Sequence, residues 1–411
     1  MKRLGIRGRD VRIGVIGLGG RGVGQMQTLL GMPDVKVAIV CDNWQDRAEK
    51  GADVAEKIQG FRPATTKDAA DVLARDDIEG VAIFTSWQTH IPLAIQALEA
   101  GKYPALEVGG GSSIEQLWCL VRTSQRTRIP VMLLENCCYE RREMTLMGMV
   151  RRGLFGEVVH CGGGYCHDLR DEIGLGDVRH HYRLDNFLHR NGELYPTHDL
   201  GPIAHYLDIG RGNAILTVSS SASKARGLQA WFAENRPEMA GRHVCEGDVV
   251  DTILRCANGE TVHLVHDCIL PRPYSRAGLI QGTKGIRQED GAHIFLEGVS
   301  PGRRKNEWTE RWEPDEKYIR RFEHPLWKKY REFGLRGGHG GMDYLVLRAW
   351  IESLQNATPP PIDVYDTATW LAVTCLSEQS VALNGAPVPM PDFTDGRWVT
   401  RKNEDLGTYS L

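Results

Sequence analysis

The stretch that decides the fold of this chain is VRIGVIGLGGRG, residues 11–22. Residues 11–16 form an almost uninterrupted apolar run, which is typical of a parallel strand buried on both faces. Glycines at positions 17, 19, 20 and 22 follow at once, and residues 23–30 have a helical pattern. A buried strand, a glycine-rich turn and a helix in this order predict the start of a βαβ unit.

The spacing of these glycines, G-x-G-x-x-G, also predicts a dinucleotide site. Gly17 permits a tight turn, Gly19 lets the backbone approach a pyrophosphate, and Gly22 lets the helix pack closely on the strand. Asp42, which lies 20 residues after Gly22, would accept hydrogen bonds from ribose hydroxyls and repel a 2′-phosphate. We therefore expect NAD rather than NADP as the cofactor. The predicted cofactor-binding residues are Gly17, Gly19, Gly20, Arg21, Gly22 and Asp42.

The first 135 residues alternate short apolar runs with helical patterns, which indicates a parallel sheet built from βαβ units. Predicted strands cover residues 11–16, 35–41, 80–84, 103–107 and 130–134, and one predicted helix covers residues 92–100. We expect residues 1–135 to form an NAD-binding Rossmann domain of the α/β class, with a doubly wound parallel sheet.

Beyond residue 135 the sequence pattern changes. Predicted strands cover residues 158–165, 215–221, 249–256, 261–268 and 279–281. Asn258-Gly259 predicts a type I′ hairpin turn, and residues 168–195 are expected to form a long irregular segment of functional importance. Helices are expected at residues 342–355 and 366–383. Residues 136–411 should form a substrate-binding α+β domain with an open, largely antiparallel sheet, whose C-terminal helices can pack on the first domain.

The composition argues against several classes of partner. Fifty basic and 53 acidic side chains nearly cancel, so no overall field attracts nucleic acid or an anionic membrane. No apolar stretch is long enough for a membrane span, and residues 1–7 lack the apolar core of a signal peptide. Ten cysteines without C-x-x-C pairs indicate reduced thiols and no metal site. We expect a cytoplasmic protein, with earlier removal of a signal peptide left open.

Several longer motifs indicate a family. The Rossmann pattern with Glu107-Val108-Gly109, followed by a sheet domain, resembles the Gfo/Idh/MocA superfamily of sugar oxidoreductases. Nearly the whole chain resembles one branch, the NAD-dependent glycosidases of glycoside hydrolase family 109, typified by α-N-acetylgalactosaminidase. The motifs that carry the resemblance are 105-ALEV-108, 134-LEN-136 with Tyr139, 164-GYCHDLR-170, 190-RNG-192, 194-LYPTH-198, 272-RPYS-275, 281-QGTKG-285 and 337-GGHGGMDY-344.

The resemblance implies hydrolysis with no net redox change. NAD would transiently oxidise C3 of a terminal sugar, a base would remove the C2 proton, elimination would expel the C1 oxygen, and water addition and reduction of C3 would follow. His198 would accept the C3 hydroxyl proton and Tyr139 would take the C2 proton. The implied residues are His198, Tyr139, Tyr195 and Glu107 as catalytic groups, and Arg183, Tyr274 and His339 as substrate-binding groups.

Four departures from related patterns surround these residues. Val108 stands where the superfamily's dehydrogenases usually carry a proton-transferring lysine, and Tyr195 stands three residues before His198, where they carry aspartate. Asp199 and the glycines at 109–111 stand where the glycosidase branch usually has glycine and Pro-Ala-Ala. The first pair points away from an ordinary dehydrogenase, and the second pair leaves the identity of the sugar open.

Local patterns leave some positions open. Pro196 predicts a helix start that places His198 in the first turn, whereas Pro202 would fit better if the helix began near it. His167 and Asp168 are adjacent and cannot face one another on a strand, so we expect a structural or rim role for them.

Two other functions remain open for the sequence. One is a sugar or glycoside 3-oxidoreductase that releases a 3-keto product and exchanges its cofactor. The other is a cofactor-bound sugar sensor, which is disfavoured because nothing in the sequence resembles a DNA-binding or signalling module. The superfamily resemblance further implies a small-molecule glycoside as the partner and a homo-oligomer as the assembly.

Overall fold

The computed structural model describes residues 8–302 and 308–411. Residues 1–7, on which the signal-peptide prediction rests, lie outside the described residues. The chain divides into two compact units. The first unit comprises Met1–Arg141, His324–Ala368 and Asn403–Leu411, and the second comprises Arg142–Glu323 and Thr369–Lys402.

The first unit contains a six-stranded parallel sheet in the order β3-β2-β1-β4-β5-β6. The chain reverses its direction of growth between β1 and β4, and in such sheets ligands bind at the carboxyl ends of the strands beside this reversal. The predicted doubly wound sheet is therefore confirmed. Its strands are β1 (Val11–Ile16), β2 (Val35–Cys41), β3 (Ala64–Thr66), β4 (Gly80–Ile83), β5 (Tyr103–Leu106) and β6 (Met132–Leu133).

The second unit contains a nine-stranded sheet in the order β14-β13-β12-β11-β7-β10-β9-β8-β15. Strands β7 and β10 pair in parallel, and the other described pairs are antiparallel. This confirms the predicted open, largely antiparallel sheet. Its strands are β7 (Val158–Cys166), β8 (Ile215–Ala222), β9 (Val250–Cys256), β10 (Thr261–Asp267), β11 (Leu279–Gly282), β12 (Gly285–Gln288), β13 (His293–Leu296), β14 (Glu313–Pro314) and β15 (Val388–Pro389).

The described helices include several beyond residue 135 that the sequence pattern did not predict. The predicted irregular segment 168–195 contains α7 and α8, so that prediction is wrong over these helices, which are too short for a periodic pattern to identify. The helices are α1 (Gly20–Leu30), α2 (Gln45–Gln59), α3 (Ala69–Leu73), α4 (Trp87–Glu99), α5 (Ile114–Thr127), α6 (Arg141–Arg151), α7 (Arg170–Gly174), α8 (Arg183–His189), α9 (Thr197–Tyr206), α10 (Gly227–Asn235), α11 (Glu316–Phe322), α12 (Pro325–Phe333), α13 (Met342–Asn356) and α14 (Val364–Ala382).

Two helices tolerate an internal proline. Helix α4 begins at Trp87, five residues before the predicted start at Pro92, and α9 begins at Thr197 and contains Pro202. A proline removes one hydrogen bond from a helix, and the flanking turns remain helical in both cases. The prediction that His198 lies in the first turn of a helix is confirmed.

The hairpin between β9 and β10 differs from the predicted type I′ turn. Gly259 has φ of 103°, but Asn258 is not among the residues with positive φ, whereas a type I′ turn needs positive φ at both central positions. The Gly259 N–H donates to the Cys256 carbonyl at 3.1 Å. Three residues, 257–259, form the loop, with glycine in the bulge position that such hairpins favour.

Across the described residues, no helix is both long and apolar enough to cross a membrane.

Candidate active site

The glycine loop joins β1 to α1 and leaves open space above itself. A Cβ on Gly17, whose φ is 94°, would lie 2.5 Å from the carbonyl oxygen of Phe84, and a Cβ on Gly22 would lie 2.0 Å from the carbonyl oxygen of Gly17. A Cβ on Gly19 or Gly20 would meet nothing within 4 Å. The loop is therefore closed toward the sheet and open at the N-terminus of α1, where a pyrophosphate binds in this type of fold.

Asp42 supports this loop directly. Its Oδ2 accepts a hydrogen bond from the backbone N–H of Leu18 at 2.7 Å, and its Oδ1 accepts one from Trp44 at 2.9 Å. A carboxylate has about four acceptor positions, so ribose hydroxyls can still be accepted. The open loop, the helix N-terminus without acidic residues in its first turn, and this carboxylate fit a dinucleotide.

Arg21 and Glu107, predicted to bind cofactor and to act in catalysis, form an ion pair within the first unit. The Arg21 Nε donates to the Glu107 carboxylate at 2.8 Å, and its other nitrogens donate to Asp343 at 2.8 and 3.2 Å. His339 Nδ1 lies 2.8 Å from the Asp343 carboxylate, and the Asn136 amide donates to it at 2.6 Å. Asp343 is thus the centre of a network that includes three predicted site residues.

The charge of Asp343 is stabilised by this network. Burial alone would raise the pKa of the Asp343 carboxyl, but the hydrogen bond with His339 and the charge of Arg21 hold that pKa well below its usual range. A carboxyl with a depressed pKa stabilises the folded state above its unfolded pKa, and this contribution is lost as pH falls through the folded-state pKa. For Asp343 the loss begins below about pH 4.

Replacement of Asp343 by asparagine is expected to lower the free energy of unfolding at pH 7 by about 1.5–3 kcal/mol, the range for hydrogen bonds to charged groups. Urea unfolding at a series of pH values would measure the effect. The difference from wild type should shrink as pH falls from 5 to about 2. A difference that stayed constant across this range would show that the ionised carboxylate is not what stabilises the network.

Tyr139, predicted as the base that removes the C2 proton, is 0% exposed. Its hydroxyl donates to the carbonyl oxygen of Tyr409 at 2.7 Å, and its own carbonyl accepts a hydrogen bond from the Trp327 indole at 2.9 Å. Burial raises the pKa of the Tyr139 phenol well above its usual value. These surroundings keep the phenol protonated and its hydroxyl hydrogen-bonded to Tyr409, which disfavours the predicted role as a base.

Replacement of Tyr139 by phenylalanine should therefore change stability more than chemistry. Loss of the hydroxyl leaves the buried Tyr409 carbonyl without this donor, which costs about 1–3 kcal/mol. We expect a lower Tm with kcat close to wild type. A fall in kcat of about 10²-fold or more, the size of a lost general base, would restore Tyr139 to the predicted catalytic role.

In the second unit the remaining predicted residues gather around one tyrosine. The ring centroid of Tyr165, at the end of β7, lies 4.4 Å from that of Tyr195, 5.5 Å from His198 and 5.9 Å from His167. The rings of Tyr195 and His198 are 4.9 Å apart, and those of His167 and Tyr274 are 5.1 Å apart. We call these five residues the aromatic cluster.

Arg183 supplies the positive charge of the aromatic cluster. It is buried at the start of α8, and its guanidinium carbon lies 5.1 Å from the ring centroid of Tyr195 and 5.7 Å from that of Tyr165. Burial raises the pKa of the Tyr165 phenol, and the Arg183 charge opposes that rise. Tyr274 is 53% exposed, so the cluster extends from a buried cation to the surface.

The departures from the family pattern have structural counterparts. Gly109, Gly110 and Gly111 all have positive φ, and a Cβ on Gly109 would lie 2.1 Å from the indole nitrogen of Trp87. Pro-Ala-Ala would therefore not fit this backbone. Asp199 is buried beside β7, where a Cβ on Gly163 would lie 2.5 Å from the Asp199 Cβ. The glycine in the strand leaves room for this aspartate.

Sequence reasoning missed Tyr165 and Asp343 as site residues, although both lie in quoted motifs. Side-chain alternation continued one residue past the end of β7 predicts that Tyr165 and His167, two residues apart, share a face. Asp343 in the first turn of α13 offered no comparable signal, because its partners Arg21 and Asn136 are distant in sequence.

Comparison with known proteins first defines the class. Residues 11–108 match the oxidoreductase family with an NAD-binding Rossmann fold. Levoglucosan dehydrogenase, solved with NADH and levoglucosan, has a TM-score of 0.70 at 18% identity, covering 93% of this chain and 100% of that chain. Myo-inositol dehydrogenase from Corynebacterium glutamicum has a TM-score of 0.62 at 17% identity, with coverages of 93% and 99%. The fold is that of the Gfo/Idh/MocA oxidoreductases, and the cofactor of its first domain is NAD.

Further matches define the family. Residues 139–400 match the C-terminal domain of glycosyl hydrolase 109. A glycosyl hydrolase family 109 protein of Stenotrophomonas maltophilia is 39% identical over 96% of this chain and 92% of its own length. A Tannerella forsythia protein named alpha-N-acetylgalactosaminidase is 36% identical, with coverages of 95% and 88%. The chain belongs to glycosyl hydrolase family 109, as its motifs predicted.

Proposed function

We propose that this protein is an NAD-dependent glycosidase that removes a terminal sugar by transient oxidation at C3, elimination across C1 and C2, water addition and re-reduction. The observation that carries the proposal is the aromatic cluster, in which the His198 ring contacts Tyr165 and Tyr195 and both tyrosine rings lie against the buried Arg183. α-N-acetylgalactosamine is the candidate sugar, because the Tannerella forsythia relative is named for that activity.

The residue types in the aromatic cluster favour proton transfer over the usual glycosidase chemistry. Ordinary glycosidases place two carboxylates on either side of the scissile bond. The ring contacts recorded here join phenols and imidazoles, which are proton-transfer groups. When bound, NAD supplies the redox chemistry that makes C3 of the sugar a transient ketone and so acidifies the C2 proton.

In this proposal His198 accepts the proton of the C3 hydroxyl and later returns it. It is the second residue of α9, and its ring contacts two tyrosines. Such contacts hold the imidazole in one orientation, which general acid–base catalysis requires.

Tyr195 is assigned the C2 proton in place of Tyr139. The Arg183 guanidinium lies against its ring, and a fixed cation in a buried site stabilises the negative charge that develops on a phenol or an enolate during proton transfer. Tyr165 and Tyr274 contribute the remaining hydroxyls for binding the sugar.

Glu107 and His339 receive different roles from those first implied. Both belong to the network around Asp343 in the first unit. We propose that Glu107 and Asp343 together orient Arg21, whose cation suits the anionic cofactor, and that His339 completes this network. The substrate is expected to be a small glycoside, and a homo-oligomer remains a prediction for light scattering to test.

Hydrolysis of 4-nitrophenyl α-N-acetylgalactosaminide in D₂O, followed by proton NMR, tests the proposed route. The expected result is released nitrophenol, a sugar carrying deuterium at C2, and no accumulation of NADH. Exchange at C2 follows because removal of that proton precedes elimination and water addition restores a proton from solvent.

Each other outcome counts against the proposal. Hydrolysis without deuterium at C2 would contradict the elimination route. Stoichiometric NADH with a 3-keto sugar would identify a 3-oxidoreductase, and no turnover across a panel of aryl glycosides would favour a sugar sensor. A His198→Gln variant serves as the background control for all three readouts.

A further inference from the structure

A second group of ionisable side chains is buried behind the aromatic cluster. Glu193 is 1% exposed, Glu246 is 0% exposed and His266 is 2% exposed. None of the three belongs to the proposed chemistry. Buried ionisable groups are costly unless they are paired and hydrogen-bonded, so their position requires a reason.

Glu246 and His266 form the paired part of this group. The Glu246 Oε1 lies 3.0 Å from the His266 Nδ1, and the Glu246 Oε2 accepts the backbone N–H of Gly192 at 3.0 Å. Both carboxylate oxygens are therefore used, one by the imidazole and one by the segment that leads to Tyr195.

Glu193 belongs to this segment and is hydrogen-bonded within it. Its Oε1 accepts the backbone N–H of Tyr195 at 3.2 Å, and its own N–H donates to the Ser377 hydroxyl at 2.7 Å. Its Oε2 is buried without a hydrogen-bond partner among the described residues. An oxygen in such a place is tolerated far better on a neutral carboxyl than on a carboxylate.

The group also reaches Tyr165. His266 is the register partner of Tyr165 across β10 and β7. Cys268, whose hydrogen bond raises the pKa of His266, donates its thiol to the Tyr165 carbonyl at 3.4 Å. Together with Cys268, this group thus contacts the backbone of Tyr165 and Tyr195, two of the three tyrosines in the aromatic cluster.

The charges around Glu193 favour its protonated, neutral form. Burial alone would lower the pKa of His266, but contacts with Cys268 and Glu246 raise it well above its usual value. One carboxylate suffices to balance the resulting cation. Burial raises the pKa of Glu193 to about 7, with His266 acting in the opposite sense.

Other charged groups near this trio come from three further elements. Asp251 on β9 faces Glu193, and Glu378 on α14 faces Glu246. Arg190 holds Glu378 through two hydrogen bonds of 2.7 and 2.8 Å. Arg190 also acts electrostatically on Glu246, and among the described groups His266 is the cation that acts on Glu193.

We propose that Glu193 is the positioning residue of Tyr195. Its neutral carboxyl group, beside the charged Glu246–His266 pair, fixes the backbone that presents Tyr195 and His198 to the sugar. The inference rests on the proposed function, because that function is what makes the position of Tyr195 important for catalysis. Glu193 itself moves no proton in the reaction.

Two variants separate the hydrogen bond from the charge. Glu193→Gln keeps a carbonyl oxygen for the Tyr195 N–H and cannot ionise, whereas Glu193→Ala loses the acceptor. Glu260→Gln is the matched control, because Glu260 lies in the same unit and bonds to Asn213 rather than to this segment.

The first readout is independent of activity. Protein labelled with ¹³C at tyrosine Cζ gives one signal for each of the 12 tyrosines, and Tyr195→Phe assigns the signal of Tyr195. We expect this signal to shift or broaden in Glu193→Ala and to keep its wild-type position in Glu193→Gln and Glu260→Gln at pH 6. An unchanged signal in Glu193→Ala would overturn the proposal, even if hydrolysis of every glycoside had failed.

The second readout is the dependence of Tm on pH. A group whose pKa is raised by folding stabilises the folded state below its unfolded pKa, and this contribution is lost as pH rises through the folded pKa. Wild-type Tm should therefore fall relative to Glu193→Gln between pH 5 and pH 8. Parallel profiles would show that Glu193 is ionised throughout and would contradict its neutral state.

The third readout separates kcat from KM. A misplaced catalytic group lowers kcat by up to about 10²-fold, so Glu193→Ala should lose kcat to this extent with little change in KM. Glu193→Gln should keep most of wild-type kcat at pH 6 and retain it to higher pH. Equal losses in both variants would overturn the positioning role.

Discussion

Replacement of His198 by glutamine is expected to lower kcat for glycoside hydrolysis by about 10²–10⁴-fold, the range for loss of a positioned acid–base group. Glutamine keeps a polar side chain that can hydrogen-bond but cannot take up and return a proton near neutral pH. The loss should appear in kcat rather than in NAD affinity, because the proposal gives His198 a proton-transfer role and gives the glycine loop the cofactor.

Steady-state kinetics and calorimetric titration with NAD would measure the two quantities separately. His263→Gln is the matched control, because His263 lies on β10 of the same unit and pairs with Asp251 outside the aromatic cluster. If His198→Gln kept kcat within a few-fold of wild type, another group must accept the C3 hydroxyl proton.

Replacement of Gly22 by alanine is expected to remove most of the affinity for NAD. The new Cβ would lie 2.0 Å from the Gly17 carbonyl oxygen and 3.2 Å from the Phe84 Cβ, so the loop or the helix must move. Overpacking of this kind costs about 1–3 kcal/mol. Because 1.4 kcal/mol corresponds to tenfold in affinity, we expect a loss of about 10–100-fold.

The same helix supplies the control for this prediction. A Cβ on Gly24 would meet nothing within 4 Å, so Gly24→Ala should keep NAD affinity and stabilise α1 by about 0.5–1 kcal/mol, the usual helix preference for alanine over glycine. Calorimetric titration of both variants measures the contrast. Equal NAD affinities in the two variants would contradict the role of close packing at Gly22.

Much of the fold could be predicted because local patterns specify it. The apolar run before Gly17 and the spacing to Gly22 determine β1, the turn and α1, since buried parallel strands and tight turns restrict residue type strongly. Strand β3 was not predicted, because a run of only three residues is too short to show a periodic pattern. The position of the hairpin at Gly259 was predicted correctly, but its turn type was not. A type I′ turn and a three-residue loop can both place a glycine at this position.

The candidate site was predictable only in part. The motifs and the family resemblance they carry identified Tyr195, His198 and Arg183, which the structure brings together around Tyr165. They also assigned proton transfer to Tyr139, whose hydroxyl the structure places in a buried hydrogen bond. A motif identifies a residue, but burial and hydrogen-bond partners determine what its side chain can do.

The sequence by itself determined the cofactor loop, the class of both sheets and the family, because each depends on residue types at short, regular spacings. Only the tertiary structure showed that Arg21 joins Glu107 and Asp343, and that the buried Glu193 accepts a hydrogen bond from the Tyr195 N–H. These pairings connect residues far apart in the chain, or depend on which side chains lose contact with water. Burial and long-range charge pairing follow from the packed fold, and no local pattern encodes them.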